Sequence, residues 1–227
     1  MTQNPLRRRA AVAAVATVLS LALAPASFAA GGPGPERPTS TTSQDPQPLS
    51  ASPAAYELGE ELAGLAGKQL EVTFLAAVIP HHRAAVEMAK LERERGVDAD
   101  VRNRAEHIIS GQQHQIDRFT RWLHEWYGLT PQQARAQAPA EAREEMAEMD
   151  KETRKRVDEL RRTPAGKGFD TAFLRRIIPH HSEGIAVSLE VQSRAVHHRL
   201  REAASTGIAA QQAEIEDFRD RLGRGRK

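Results

Sequence analysis

Residues 74–82 read Phe74-Leu-Ala-Ala-Val-Ile-Pro80-His81-His82, and residues 173–181 read Phe173-Leu-Arg-Arg-Ile-Ile-Pro179-His180-His181. The offset of 99 residues continues without a gap. Val101, Arg102 and Ala105 return as Leu200, Arg201 and Ala204. Ile109, Gln112, Gln113 and Ile116 return as Ile208, Gln211, Gln212 and Ile215, and Phe119 and Leu123 as Phe218 and Leu222. A repeat of this kind decides the fold before any single segment does. It predicts one helical hairpin used twice, the copies packed about a pseudo-twofold axis, with two histidine pairs brought into one core.

Working outward, the first helix is expected from about Lys68 to Arg95. Phe74, Val78, His81, Ala85 and Met88 recur at helical spacing, and Leu75, Ile79, His82, Val86 and Ala89 form the adjacent stripe. So wide an apolar arc suits a bundle interior. Gly96 reads as its C-cap and Asp98 as the N-cap of a second helix, about Ala99 to Tyr127. The connection is short enough to force an antiparallel hairpin. The second helix carries Val101, Ala105, Ile108, Gln112, Ile116 (or Gln115), Phe119, Leu123 and Trp126 on one row. Gln112 and its counterpart Gln211 therefore fall in buried rows, where an amide needs partners. Thr130-Pro131-Gln132-Gln133 is a capping box with proline at the first helical position. A single charged linker helix is expected from there to about Arg162, then a break over Pro164 to Gly168. The repeat places the last two helices near 170–194 and 198–222. No stretch alternates apolar and polar residues as a half-buried strand would.

The N-terminal region reads differently. Arg7, Arg8 and Arg9 precede an apolar run, and Ser27-Phe28-Ala29 has the small-x-small form of a cleavage site. Residues 1–29 are thus expected to be a secretory signal peptide. A Gly-, Pro-, Ser- and Thr-rich spacer is expected over 30–53, and one folded domain over 54–223. The chain has no cysteine, so it offers neither a lipid-attachment cysteine nor a disulfide. Removing the three arginines takes the formal net charge from +2 to −1. The mature chain then has no bulk attraction for nucleic acid or anionic membranes. It is expected to be secreted or extracytoplasmic, with no membrane insertion after cleavage; whether it forms a homo-oligomer stays open.

Two features carry chemistry. Pro80 and Pro179 sit inside predicted helices, where each removes a hydrogen bond and crowds the preceding turn at about 3 kcal/mol. The resulting kink lets helices curve round each other and can also aim the histidines that follow. His81 and His82 lie about 100° apart around a helix, so neighbours do not readily chelate one ion. One imidazole from each copy can instead meet across the bundle, with the others flanking. Such a cluster suits copper, zinc, nickel or iron. Met88, two turns after His81 on the same stripe, could add a soft thioether; its counterpart is Val187. A methionine on an apolar stripe also reads as core filler. A di-iron site needs bundle glutamates and Glu-x-x-His pairs. The sequence has no Glu-x-x-His, and Glu87 and Glu183 do not correspond through the repeat. His107, His114 and the His197-His198 pair occur in one copy only and read as surface or turn residues. No phosphate-binding glycine loop or nucleophile motif is present.

The motif Phe-(x)4-Ile-Pro-His-His, followed some 30 residues later by Ile-(x)2-Gln-Gln-(x)2-Ile, resembles the domain of unknown function numbered 305. The resemblance spans both copies, Phe74 to Leu123 and Phe173 to Leu222. It implies an exported, ferritin-like four-helix bundle. Some members bind copper through histidine and methionine, which points here to His81, His82, His180, His181 and Met88. Many members carry methionines directly before Ile-Pro-His-His; Ala77-Val78 and Arg176-Ile177 stand there in this chain.

Together these readings predict an all-α, ferritin-like bundle of two repeated hairpins with a helical linker. It would bind and buffer an extracytoplasmic metal ion, copper first, rather than catalyse a reaction. Ligation would weaken as pH falls through an ordinary imidazole pKa near 6.5. The alternatives are a metal-free structural or interaction bundle and a di-iron-type oxidase.

Overall fold

The computed structural model describes residues 50–224. The expected signal peptide, most of the expected spacer and the last three residues lie outside this range. Seven helices are described: α1 (Pro53–Ala63), α2 (Gly67–Arg95), α3 (Ala99–Tyr127), α4 (Pro131–Gln137), α5 (Ala140–Arg162), α6 (Lys167–Arg194) and α7 (His198–Arg224). The protein is an all-α bundle made of two repeated hairpins. α2 pairs with α3, α6 pairs with α7, and the two hairpins meet where α2 packs on α6. None of the described helices is long and apolar enough to cross a membrane.

The central position of α2 and α6 follows from their sequences. Residues 70–79 of α2 are buried without interruption, and α6 buries Phe173, Leu174, Ile177, Ile178 and Pro179. A helix that is apolar nearly all round must be enclosed on most sides. The outer helices α3 and α7 instead bury one row each: Val101, Ala105, Ile108, Gln112, Ile116, Phe119 and Leu123 in α3, and Leu200, Ala204, Ile208, Gln211, Ile215, Phe218 and Leu222 in α7.

Three differences from the sequence reading have physical causes. The linker is two helices, not one. Pro139 lacks an N–H and disfavours helical geometry in the residue before it, and Ala138 is accordingly extended (φ −64°, ψ 151°). The capping box itself forms: Thr130 N donates to Gln133 Oε1 at 2.9 Å, and Gln133 N to Thr130 Oγ1 at 3.3 Å. Second, an additional helix, α1, precedes the repeat and packs on α5 and α6. Leu58 and Leu62 are fully buried, and Ala51 and Ser52, inside the expected spacer, are buried too. Third, Gly96 closes α2 without a left-handed turn (φ −69°, ψ 156°). Ala195 closes α6 with nearly the same backbone (φ −58°, ψ 143°). What requires glycine at 96 is crowding: a Cβ there would lie 2.0 Å from Glu92 Oε1 and 2.6 Å from Asp170 Oδ1.

The hairpins are tied together reciprocally. Asp170, at the start of α6, accepts hydrogen bonds from Val97 N (2.9 Å) and Asp98 N (3.1 Å) in the turn of the first hairpin. Its counterpart Glu71, at the start of α2, accepts from His197 N (2.8 Å) in the turn of the second. Each copy thus supplies a buried carboxylate to the backbone amides of the other's turn, which need partners once buried.

Candidate metal centre

The interior prolines fall where α2 and α6 meet, and the histidine pairs follow at once. All four rings are buried: His180 and His181 completely, His81 at 2 % and His82 at 3 % exposure. The inner pair meets across the pseudo-twofold. His81 and His180 stack face to face, centroids 3.7 Å apart and planes 3° from parallel. His180 Nε2 lies 3.1 Å from the His81 carbonyl oxygen. The outer pair flanks them, His82 lying 6.2 Å from His81 and His181 6.3 Å from His180 by ring centroid.

The flanking environments are themselves repeated. His82 packs on Phe119 at 6.0 Å and His181 on Phe218 at 6.4 Å. Gln115 of α3 bonds His82, and at the equivalent position of α7 Glu214 Oε2 lies 2.9 Å from His181 Nε2. The repeat breaks again beside the inner pair. Glu183, one turn after His180, has Ala84 as its counterpart. Its buried carboxylate lies beside the inner pair, with Oε2 at 3.7 Å from His81 Nε2 and 4.0 Å from His180 Nδ1. Those distances are too long for hydrogen bonds. His81, His180 and Glu183 are the one group of three titratable donors, among the described residues, whose ligand atoms all fall within 4.8 Å of one another.

The electrostatics hold His82 and His180 uncharged beside the Glu183 anion. Burial, and then the neighbouring His81 and His181, lower the His82 pKa to about 3. Burial likewise lowers His180 well below the ordinary value. Neither gains a proton at pH 6.5, which corrects the expected titration there for these two rings. Burial alone would raise the Glu183 carboxyl, but His81 and Arg156 outweigh it and hold the pKa at about 2. Arg156, from α5, grips Glu183 with both arms of its guanidinium, at 2.7 and 2.6 Å. Around this pair, both nitrogens of His81 and Nδ1 of His180 have no hydrogen-bond partner, although all are shielded from solvent. Such orphaned donors and acceptors call for an explanation, and the set of two imidazoles and a carboxylate fits a transition-metal ion.

The family profile of the domain of unknown function DUF305 matches residues 71–222. The chain belongs to the DUF305 family. Solved structures with the same fold include CopM in its Cu(II)-bound form, at 21 % identity over 68 % of this chain and 96 % of that one, TM-score 0.55. A DUF305 protein from Streptomyces coelicolor, described as a candidate secreted protein, is 24 % identical over 68 % of this chain and 92 % of that one, TM-score 0.55. A DUF305 fragment from Deinococcus radiodurans is 22 % identical over 77 % and 99 %, TM-score 0.51. At these identities the likeness establishes the fold. Among curated proteins no match is found.

In this DUF305 protein the other singled-out residues lie elsewhere. Met88 is fully buried in an apolar cluster that includes Val101, Ala105, Phe169 and Phe173. His107, His114, His124 and His198 are exposed. His197 is not a free turn residue: its Nδ1 lies 2.7 Å from Glu71 Oε2, and its ring stacks on Trp126 at 3.8 Å. Sequence reasoning passed over Glu183 and missed Arg156. The His180-x-x-Glu183 spacing was a usable sign, since i and i+3 share a helix face. Arg156 gave none: it sits among many charges beside the apolar row of α5.

Proposed function

We propose that this protein binds and buffers a metal ion, copper first, at the junction of its two hairpins. His81, His180 and Glu183 would hold the ion, with His82 and His181 enclosing it. The observation that carries the reading is the set of unpartnered imidazole nitrogens buried beside one carboxylate. Copper is preferred because imidazole suits it and because CopM, which shares the fold, has been solved with Cu(II), Cu(I) and silver. A bound copper ion would supply affinity for electron-pair donors. The protein's own part is to keep His82 and His180 neutral, exclude water and set the Glu183 charge beside them. Met88 fills apolar space in this reading. An N-terminal signal peptide (1–29) and a spacer running to the residues before α1 would deliver the domain outside the cytoplasm.

A second reading has one observation in its favour: Arg156 already neutralises Glu183, as a metal-free polar core would require. Competitive Cu(I) and Cu(II) titration of residues 30–227 separates the two. It is run beside a variant with His81, His82, His180 and His181 changed to alanine. Stoichiometric binding lost in the variant supports the metal site. Equal, weak binding by both, with melting insensitive to chelator, supports the structural core.

A further inference from the structure

Arg156 stands between the buried cluster and the surface. Its side chain is 14 % exposed, while that of Glu183, which it grips, is fully buried. On its outer side it lines a cleft of about 570 Å³ together with Tyr56, Glu152, Lys155, Glu159 and Pro179. Pro179 of this lining immediately precedes His180 in α6. One turn before Arg156, Glu152 Oε2 lies 3.8 Å from its guanidinium, beyond hydrogen-bond range. That oxygen has no hydrogen-bond partner.

We infer that Arg156 is a resident counter-cation that a metal ion must displace: its guanidinium passes from Glu183 to Glu152 as the ion arrives through the cleft. This rests on the metal-binding reading above. Three features lead to it. The buried Glu183 carboxylate cannot be left without a positive partner. Both of its oxygens accept from the Arg156 fork, so a cation brought to this carboxylate would sit against the guanidinium charge, which repels it. The imidazoles are stacked parallel, which points their lone pairs alongside one another rather than toward a common centre. The metal-free arrangement is therefore a closed one. Opening it exchanges one cation on Glu183 for another, and Glu152 receives the one that leaves. Arg156 acts as a positioning residue that sets affinity without touching the ion.

The test is Arg156→Gln in the otherwise intact chain, titrated with Ag(I) as a redox-inert probe and followed by thermal melting. Without metal, the variant should melt lower than the wild type, because Glu183 is left unpaired. Its Ag(I) affinity should rise at least about tenfold, as the charged hydrogen bonds no longer have to be broken. Its silver-induced rise in melting midpoint should exceed that of the wild type. Arg156→Lys, which keeps the charge but not the fork, should fall between the two and guards against failure of the glutamine variant to fold. Wild-type binding with equal or weaker binding in both variants overturns the exchange and leaves the metal site standing. No binding by wild type or either variant overturns the metal reading and the exchange with it.

Discussion

The two hairpins share a plan and differ at a few residues, and the chemistry gathers at the differences. The shared plan places Phe74 edge-on to Phe119 at 6.2 Å and Phe173 edge-on to Phe218 at 6.3 Å. It also sets an outer histidine against each of Phe119 and Phe218. Against that symmetry, the second copy has Glu183 where the first has Ala84, and the first has Glu92 where the second has Val191. The first substitution puts an anion among four imidazoles. The second puts a carboxyl into a turn that the other copy leaves apolar. Duplication thus provides a matched cage, and departures from duplication provide its charge.

The largest effect is expected where the asymmetry is charged and buried. Glu183→Ala, which makes the second copy resemble the first, should abolish tight metal binding. It should also destabilise the fold by about 3 kcal/mol, because Arg156 loses two charged hydrogen bonds and keeps only Glu152 nearby; urea unfolding with and without metal measures both. A stable variant that still binds would show the two copies to be equivalent at this position.

Next come the reciprocal carboxylates. Glu71→Ala should cost about 3 kcal/mol and Asp170→Ala about 2 kcal/mol, since each leaves turn amides unsatisfied. Glu71 ranks higher because it also accepts from Tyr127 Oη and lies against the His197 ring. Burial and that same carboxylate push the Tyr127 phenol pKa upward. Equal losses in denaturant unfolding would mean that the Tyr127 and His197 contacts of Glu71 add nothing at that end.

The turn glycine is a sharper comparison. Gly96→Ala should cost about 1–2 kcal/mol through overpacking against Glu92 and Asp170. In a Glu92→Val background, which copies the second hairpin, the penalty should shrink to the part due to Asp170 Oδ1. A double-mutant cycle of melting curves reads this coupling directly.

The smallest effect is proton-linked. Burial, then the adjacent Asp170, push the Glu92 carboxyl from 4.5 up to about 9. Folded Glu92 is therefore neutral where the unfolded chain has already lost its proton. Between about pH 4.5 and 9 the folded state holds more protons, so stability falls as pH rises. Between pH 6 and 7 the loss amounts to at most about 1.4 kcal/mol. Glu92→Gln should be flatter than wild type over that interval by the same amount. Parallel pH profiles of unfolding free energy would place Glu92 in contact with water.

Much of this was legible beforehand. The bounds of α2 and α3, the capping residue Asp98 and the buried rows containing Gln112 and Gln211 all follow from spacing. They do so because a helix repeats every 3.6 residues whatever it packs against. The linker was less legible: Ala138-Pro139 breaks it, a local rule available in the sequence but overshadowed by the long charged run. α1 was hidden by its neighbourhood, where Ser50-Ala51-Ser52-Pro53 continues the composition of the segment before it. At the centre, the meeting of the histidine pairs was foreseeable from the repeat, whereas Glu183 looked unmatched and was set aside for that reason.

By itself, then, the sequence determined the four repeat helices, their pairing into two hairpins and the convergence of Pro80-His81-His82 with Pro179-His180-His181. These depend on local periodicity and on a copied segment folding as its original does. Only the tertiary structure decided that His81 stacks on His180, that Glu183 joins them, that Glu71 and Asp170 cap each other's turns, and that Arg156 closes the cluster. Those facts depend on which faces of α2, α5 and α6 meet and at what rotation. Side-chain packing sets that rotation across segments far apart in the chain, and no local pattern records it.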